Sequence, residues 1–257
     1  MSTNPYAAPG AQVEDVAIID GEGAFVEEGR SVNAGRGLSW LAQAWGLFKE
    51  QPLVWLGQFL AMGVIMILLA LLPYISQILV SLAVPVLLGG IMLGAHQLAA
   101  GERLEFGKLF AGFSHRLGSL MLLGLFMLIA SFAVFAVAAG IGGAGFAAMV
   151  GASNDAGAGY AALMTAVLIA MSLSVPIYMA MWFAPALVII NEFTVSQALV
   201  TSFKACLKNV LPFMIYGLLV FIMMTIASLP FGLGLILAVP VCVLAVYTSY
   251  RDVFYQD

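Results

Sequence analysis

Apolar residues run almost unbroken through six stretches, about 53–72, 75–99, 117–139, 160–190, 211–229 and 231–250, and charged residues are confined to what lies between. A bilayer core of about 30 Å is crossed by about 20 apolar residues in helical form, so each stretch predicts a membrane-spanning helix. Only Pro73-Tyr74 separates the first pair and only Pro230 the last, which predicts two tight helical hairpins. The fourth stretch is too long for a straight span, and Pro176 and Pro185 predict a kink in it. Between the third and fourth, Gly140–Gly159 is rich in Gly and Ala, carries Asp155, and reads as a loop.

Three shorter segments have helical rather than continuous apolar periodicity. In 38–50, Leu41, Trp45 and Phe48 share a face, with Trp40 and Ala44 beside them. In 104–116 the face is Phe106, Leu109, Phe110 and Phe113. In 195–208 it is Val195, Leu199, Ser202, Phe203 and Cys206, opposite Gln197, Thr201, Lys204 and Lys208, with Thr194-x-x-Gln197 as a capping box. Aromatic on one side and basic on the other, these segments predict helices lying in the membrane interface; the alternative is cytosolic helices packed on one another. Pro52 and Pro212 open the spans that follow, where proline costs least.

The pattern also repeats. Leu82-Ala83-Val84-Pro85-Val86 returns as Leu173-Ser174-Val175-Pro176-Ile177 and as Leu237-Ala238-Val239-Pro240-Val241. Upstream of each stands a Phe and a polar residue: Phe48-Lys49, Phe113-Ser114 and Phe203-Lys204. Phe48 and Pro85 are 37 residues apart, Phe203 and Pro240 again 37, and Phe113 and Pro176 63, so the middle unit holds an insertion of 26. Such self-similarity predicts three copies of one unit, about 37–99, 102–190 and 194–250. Each has an interfacial helix and a helical hairpin, and all share one orientation about a pseudo-threefold axis. Pro85, Pro176 and Pro240 then serve either as kinks that let related spans meet or as hinges with freed carbonyls. Gly90-x-x-x-Gly94 predicts a close contact inside the bundle.

Composition sharpens this into an all-α integral membrane fold of six transmembrane helices. Of 257 residues, 63% are hydrophobic and 9% charged, against about a quarter charged in soluble domains. The nine Lys and Arg fall in the N-terminal 50 residues, the 100–116 and 191–210 segments and the C-terminus, and none in the three other connections. By the positive-inside rule both termini are cytoplasmic. Residues 1–36 hold six acids and read as a disordered acidic tail, with 37–257 as the membrane domain. No basic patch of nucleic-acid type exists. His96 and His115, 19 residues apart without a neighbouring Cys, predict no metal site, and Gly140–Gly145 is followed by no phosphate-loop Lys. Ser114-His115 has no orienting acid at a recognisable spacing. His96 reads as an interfacial residue, and Cys206 and Cys242 as packing residues. No cofactor is expected.

Some segments resemble known families. Ala198-Leu199, Ser202-Phe203-Lys204, Asn209 and the span after Pro212 resemble the repeated segment of uncharacterised bacterial inner-membrane families, which are similar to the membrane domain attached to some glycerophosphoryl diester phosphodiesterases. Gly35-Arg36-Gly37-Leu38-Ser39-Trp40-Leu41, with Trp45 and Phe48, resembles a proteobacterial six-span family of unknown function. The resemblance covers roughly 35–250 and implies a bacterial inner-membrane location. The catalytic domain of the phosphodiesterases has no counterpart, so no activity and no catalytic residue is carried over.

The expected function is therefore non-enzymatic. Membrane lipids, or a protein partner or second copy, would be held at the cytoplasmic face by Lys49, Lys108, Arg116, Lys204 and Lys208. The alternative is a carrier or channel for a small apolar or amphipathic solute.

Overall fold

In a computed structural model the chain is described over residues 23–150 and 156–256. The tail expected over 1–22 and the tip of the connection at 151–155 lie outside the described residues. Six helices are long and apolar enough to cross a membrane, and the only sheet among the described residues is a two-residue pair.

The order begins with strand β1 (Ala24–Phe25), α1 (Arg36–Glu50), α2 (Pro52–Ala70) and α3 (Ser76–Ala99). A 3-10 turn (Phe106–Phe110) and α4 (Ala111–Ser114) lead to α5 (Leu117–Val150), α6 (Ala156–Trp182) and α7 (Ala184–Ile189). Then come α8 (Val195–Lys208), α9 (Val210–Ser228), α10 (Leu235–Phe254) and strand β2 (Tyr255–Gln256). Pro52 opens α2 at its first turn, and the Thr194–Gln197 capping box closes reciprocally at the start of α8. The hairpin turns expected at Pro73 and Pro230 are present, with Tyr74 and Phe231 in the left-handed region at φ 67° and 53°.

Three expectations change. Gly140–Gly145 lies within α5 rather than a loop, because the glycines let α6 approach: a Cβ on Gly145 would meet the Ala162 Cβ at 2.5 Å. The long fourth stretch breaks at Phe183, before Pro185, while Pro176 sits inside an unbroken α6. Pro185 lacks the N–H that would continue the ladder. Finally, residues 24–36 are folded. Ala24 and Phe25 pair with Gln256 and Tyr255, the Val26 N–H donates to the Phe254 carbonyl, and the Arg30 N–H donates to that of Val253. The acidic tail thus ends well short of residue 36, since Phe25 has Phe193, Phe254 and Tyr255 to pack against.

The short helices are wedges. α1 lies against α9 and α10, the 3-10 turn and α4 against α3, and α8 against α6 and α7. Each short element therefore packs on the hairpin preceding it in sequence, and α1, with none before it, packs on the last. The approach is backbone to backbone: a Cβ added to Gly37 would fall 2.5 Å from the Pro212 carbonyl oxygen, on Gly90 2.2 Å from that of Leu109, and on Gly112 2.1 Å from that of Val86. Gly90 and Gly94 thus receive the 104–109 segment rather than another span. The face of α1 that turns inward is Gly37, Trp40, Ala44 and Phe48, one step round from the expected one, and Trp45 is left exposed.

The core lies at one end of the bundle. α3 and α10 are buried over more than half their most apolar windows, whereas α2, α5, α6 and α9 bury less than a quarter of theirs. Trp40, Ile91, Phe183, Leu187, Leu244 and Tyr250 are fully buried together.

Candidate functional site

The ends of the described chain meet around one carboxylate. Asp252, in the last turn of α10, is buried, and both its side-chain oxygens are occupied. Arg36 donates from Nε to Oδ2 and from Nη2 to Oδ1, both at 2.6 Å, and Arg30 donates from Nη2 to Oδ1 at 3.2 Å. The Trp40 indole N–H donates to Oδ2 at 2.7 Å. Arg30 Nε also bonds the Asp252 backbone carbonyl at 2.7 Å. A buried carboxylate with two guanidinium partners and an indole donor satisfies what burial of a charge requires. Asn209 supports the same segment, donating to the Arg30 carbonyl and accepting from the Val32 N–H.

Beside this cluster opens a polar cavity of about 370 Å³, lined by Arg30, Arg36, Gln43, Glu50, Arg251 and Tyr255, among others. The Arg251 guanidinium lies over the Tyr255 ring, 5.4 Å from its centroid. A separate apolar cavity of about 440 Å³ runs from Gln77 and Ser81 past Pro85, Tyr178 and Trp182 to Met92 and Val246. The two share no lining residue.

The five expected basic residues do not form one site. Lys49 and Lys204 are exposed and Lys108 is half-buried; none of the three has an ion pair or hydrogen bond among the described residues. Lys208 is committed to the fold, with Nζ donating to the Glu28 and Gly29 carbonyls at 3.1 Å each and lying 3.8 Å from the Glu28 carboxylate. Arg116 is committed likewise, donating to the carbonyls of Glu192 and Phe193. Lys208 ties the end of α8 to residues 28–29, and Arg116 ties the α4–α5 connection to the α7–α8 connection. The three repeated prolines also divide: Pro85 and Pro240 are buried, whereas Pro176 is exposed. The buried place in that unit falls to Pro185.

The remaining polar candidates serve packing. His96 Nδ1 is 3.4 Å from the Tyr247 hydroxyl. Cys206 is buried with Sγ 3.5 Å from the Met179 carbonyl oxygen, and burial pushes its thiol up to about 12, against a lowering contribution from Ser202. Ser114 and His115 touch at 3.0 Å. Among the described residues no group of three metal-ligand side chains forms.

Sequence reasoning missed Asp252, Arg30, Arg36 and Gln58. Gln58 is fully buried in α2 and donates to the Glu105 and Phe106 carbonyls, which holds the 3-10 turn against that span. One signal was available: Asp252 is an acid two residues past the last apolar run, next to Arg251. Its partners lie more than 200 residues away in sequence, so no spacing could connect them.

No family model matches the chain, and no solved structure matches it. The chain is similar to a probable inner membrane protein of Burkholderia thailandensis, with 32% identity over 199 residues covering 74% of each chain.

Proposed function

Because the chain belongs to the family of the Burkholderia probable inner membrane protein, we propose that it is a non-enzymatic inner-membrane protein that gathers anionic lipid headgroups at its basic face. The observation that carries this is the placement of Lys49, Lys108 and Lys204 on the three wedged short helices, without partners among the described residues. Cations beside membrane-spanning helices attract anionic lipid by about 1 kcal/mol each. The basic face is the cytoplasmic one, with both termini there; pairing of β1 with β2 supports a shared side for the two ends. The units about 37–99, 102–190 and 194–250 are three repeats, supported by the way each short helix packs on the preceding hairpin. The likeness to the phosphodiesterase membrane domain suits the same role and brings no activity with it.

Native mass spectrometry of the protein extracted with its surrounding lipid tests the reading. Lys49→Glu with Lys204→Glu should lower co-purified anionic lipid without altering neutral lipid. Unchanged lipid, or a stoichiometric protein partner lost in the same variant, replaces lipid gathering with partner docking. A carrier for an apolar or amphipathic solute draws on the 440 Å³ cavity, and would show instead as a retained solute displaced by bulky substitution at Ser81 or Met127.

A further inference from the structure

We propose that the apolar cavity between α3, α5, α6 and α10 binds a neutral lipid, an apolar chain with a hydroxyl or ester head, and that the hydroxyls of Ser131 and Tyr178 hold the head. This goes beyond the gathering of headgroups by the lysines and does not depend on it.

The cavity is long. Its α3 wall runs from Gln77 to Met92, 15 residues or about 22 Å of helix axis. Its volume, about 440 Å³, falls in the range of small-molecule sites, and its length fits a chain rather than a compact solute. Polarity is graded along it. A Cβ on Gly89 would meet Leu120, and one on Gly124 would fall 2.4 Å from the Ser81 carbonyl oxygen. α5 therefore runs antiparallel to α3 and carries Ser131 past Ser81, away from Met92. Gln77, Ser81, Ser131 and Tyr178 supply the hydroxyl and amide groups of the lining, while Leu88, Met92, Ala186 and Val246 leave the opposite end apolar.

Ser131 and Tyr178 are exposed, and neither hydroxyl has a hydrogen-bond partner among the described residues. Thr165, Ser172 and Ser174 of α6, in contrast, each donate to the carbonyl four residues back. Ser81 accepts from the Gln77 amide at 3.3 Å, and its own O–H donates to no described residue. Ser131 lies 14 residues, about 21 Å, inside α5, and Tyr178 lies 11 residues before the end of α7. Neither stands at the end of a span, where tyrosine meets headgroups. Both also line a smaller apolar cavity of about 270 Å³ between α5 and α6, so they sit where two apolar spaces meet. A hydroxyl left unbonded in hydrocarbon is costly, and a ligand oxygen carried in on its chain satisfies it.

The lining also sets the charge of the head. Among the described residues no Asp, Glu, Lys, Arg or His lines the cavity, and an ionised head would be buried unpaired. Both hydroxyls have a proton to donate, so the head must carry an accepting oxygen. A monoacylglycerol meets these requirements.

The test titrates the full chain in neutral detergent with monooleoylglycerol, or with lysophosphatidylcholine of the same chain, and counts bound lipid by native mass spectrometry. The wild type should retain one monooleoylglycerol in preference to the charged lipid. Ser131→Ala and Tyr178→Phe each remove a single oxygen from an exposed position and leave the packing of the spans unchanged. Each should lower retention about fivefold. No retention by the wild type, equal retention of lysophosphatidylcholine, or wild-type retention when both substitutions are combined overturns the proposal. The Lys49→Glu, Lys204→Glu variant should hold monooleoylglycerol as the wild type does. If it loses that lipid while the hydroxyl variants keep it, the cavity site fails and the basic face stands. If it leaves anionic lipid unchanged while the hydroxyl variants lose monooleoylglycerol, headgroup gathering alone fails.

Discussion

The Ser202 hydroxyl stands inside the hydrogen-bond ladder of another helix, in the gap at Phe183. It accepts from the Phe183 N–H at 3.0 Å and donates to the Met179 carbonyl at 2.8 Å, two groups that an uninterrupted helix would have joined directly. α8 thereby supplies the bond that α6 loses where Pro185 opens α7, and a side chain inserted into the ladder accounts for the break. Ser202→Ala leaves the buried Phe183 N–H unsatisfied, at a cost of about 1–3 kcal/mol. Ser202→Thr, which keeps the hydroxyl, should lose less. Thermal unfolding in detergent measures both, and equal losses would show that the bridge does not stabilise the break.

The Asp252 cluster ties residues 30–40 to the end of α10. Asp252→Asn removes the charge between two guanidinium groups and should cost about 2–3 kcal/mol, below the usual figure for a broken buried pair because both arginines are more than a third exposed. Limited trypsin digestion reads it locally: Arg30 and Arg36 should resist cleavage in the wild type and yield in the variant, while the spans stay intact.

Wedging depends on backbone contact at specific glycines. Gly112→Ala and Gly90→Ala each drive a methyl group to within about 2.2 Å of a carbonyl oxygen and should sharply reduce the yield of folded protein. Gly46→Ala, in the same class of short helix but with open space around it, should gain up to about 1 kcal/mol from helix propensity. Recovery of monodisperse protein after size exclusion distinguishes them.

Cys206 should be chemically quiet. Burial holds its thiol protonated up to about 12, against an ordinary value of 9.0, so alkylation at pH 8 should be slow in the folded protein and fast after denaturation. Because the unfolded thiol ionises near 9.0 and the folded one does not, its contribution to stability falls as pH rises from about 9 towards 12. Ready alkylation of the folded protein at pH 8 would show that α8 opens.

How far the site could be read in advance depends on whether its residues are neighbours in sequence. The Thr194–Gln197 cap spans one helical turn and was visible as a motif. Lys204 and Lys208 sit one turn apart and look alike, yet Lys208 is spent on Glu28 and Gly29 while Lys204 is exposed. Only the folded position of residues 28–29 separates them. Trp40 and Trp45 likewise both fit an aromatic face; Asp252 decides which one turns inward.

The sequence alone determined the six spans, the hairpin turns at Pro73 and Pro230 and the short helices α1 and α8, because a bilayer demands continuous apolar length and a half-buried helix demands periodicity, and both are local properties of the chain. Tertiary structure decided where each short helix is inserted, which prolines are buried, and that Arg30, Arg36, Trp40 and Asp252 form one buried cluster. These are contacts between segments up to 222 residues apart. Their energy comes from backbone approach and charge pairing that exist only once the hairpins have come together.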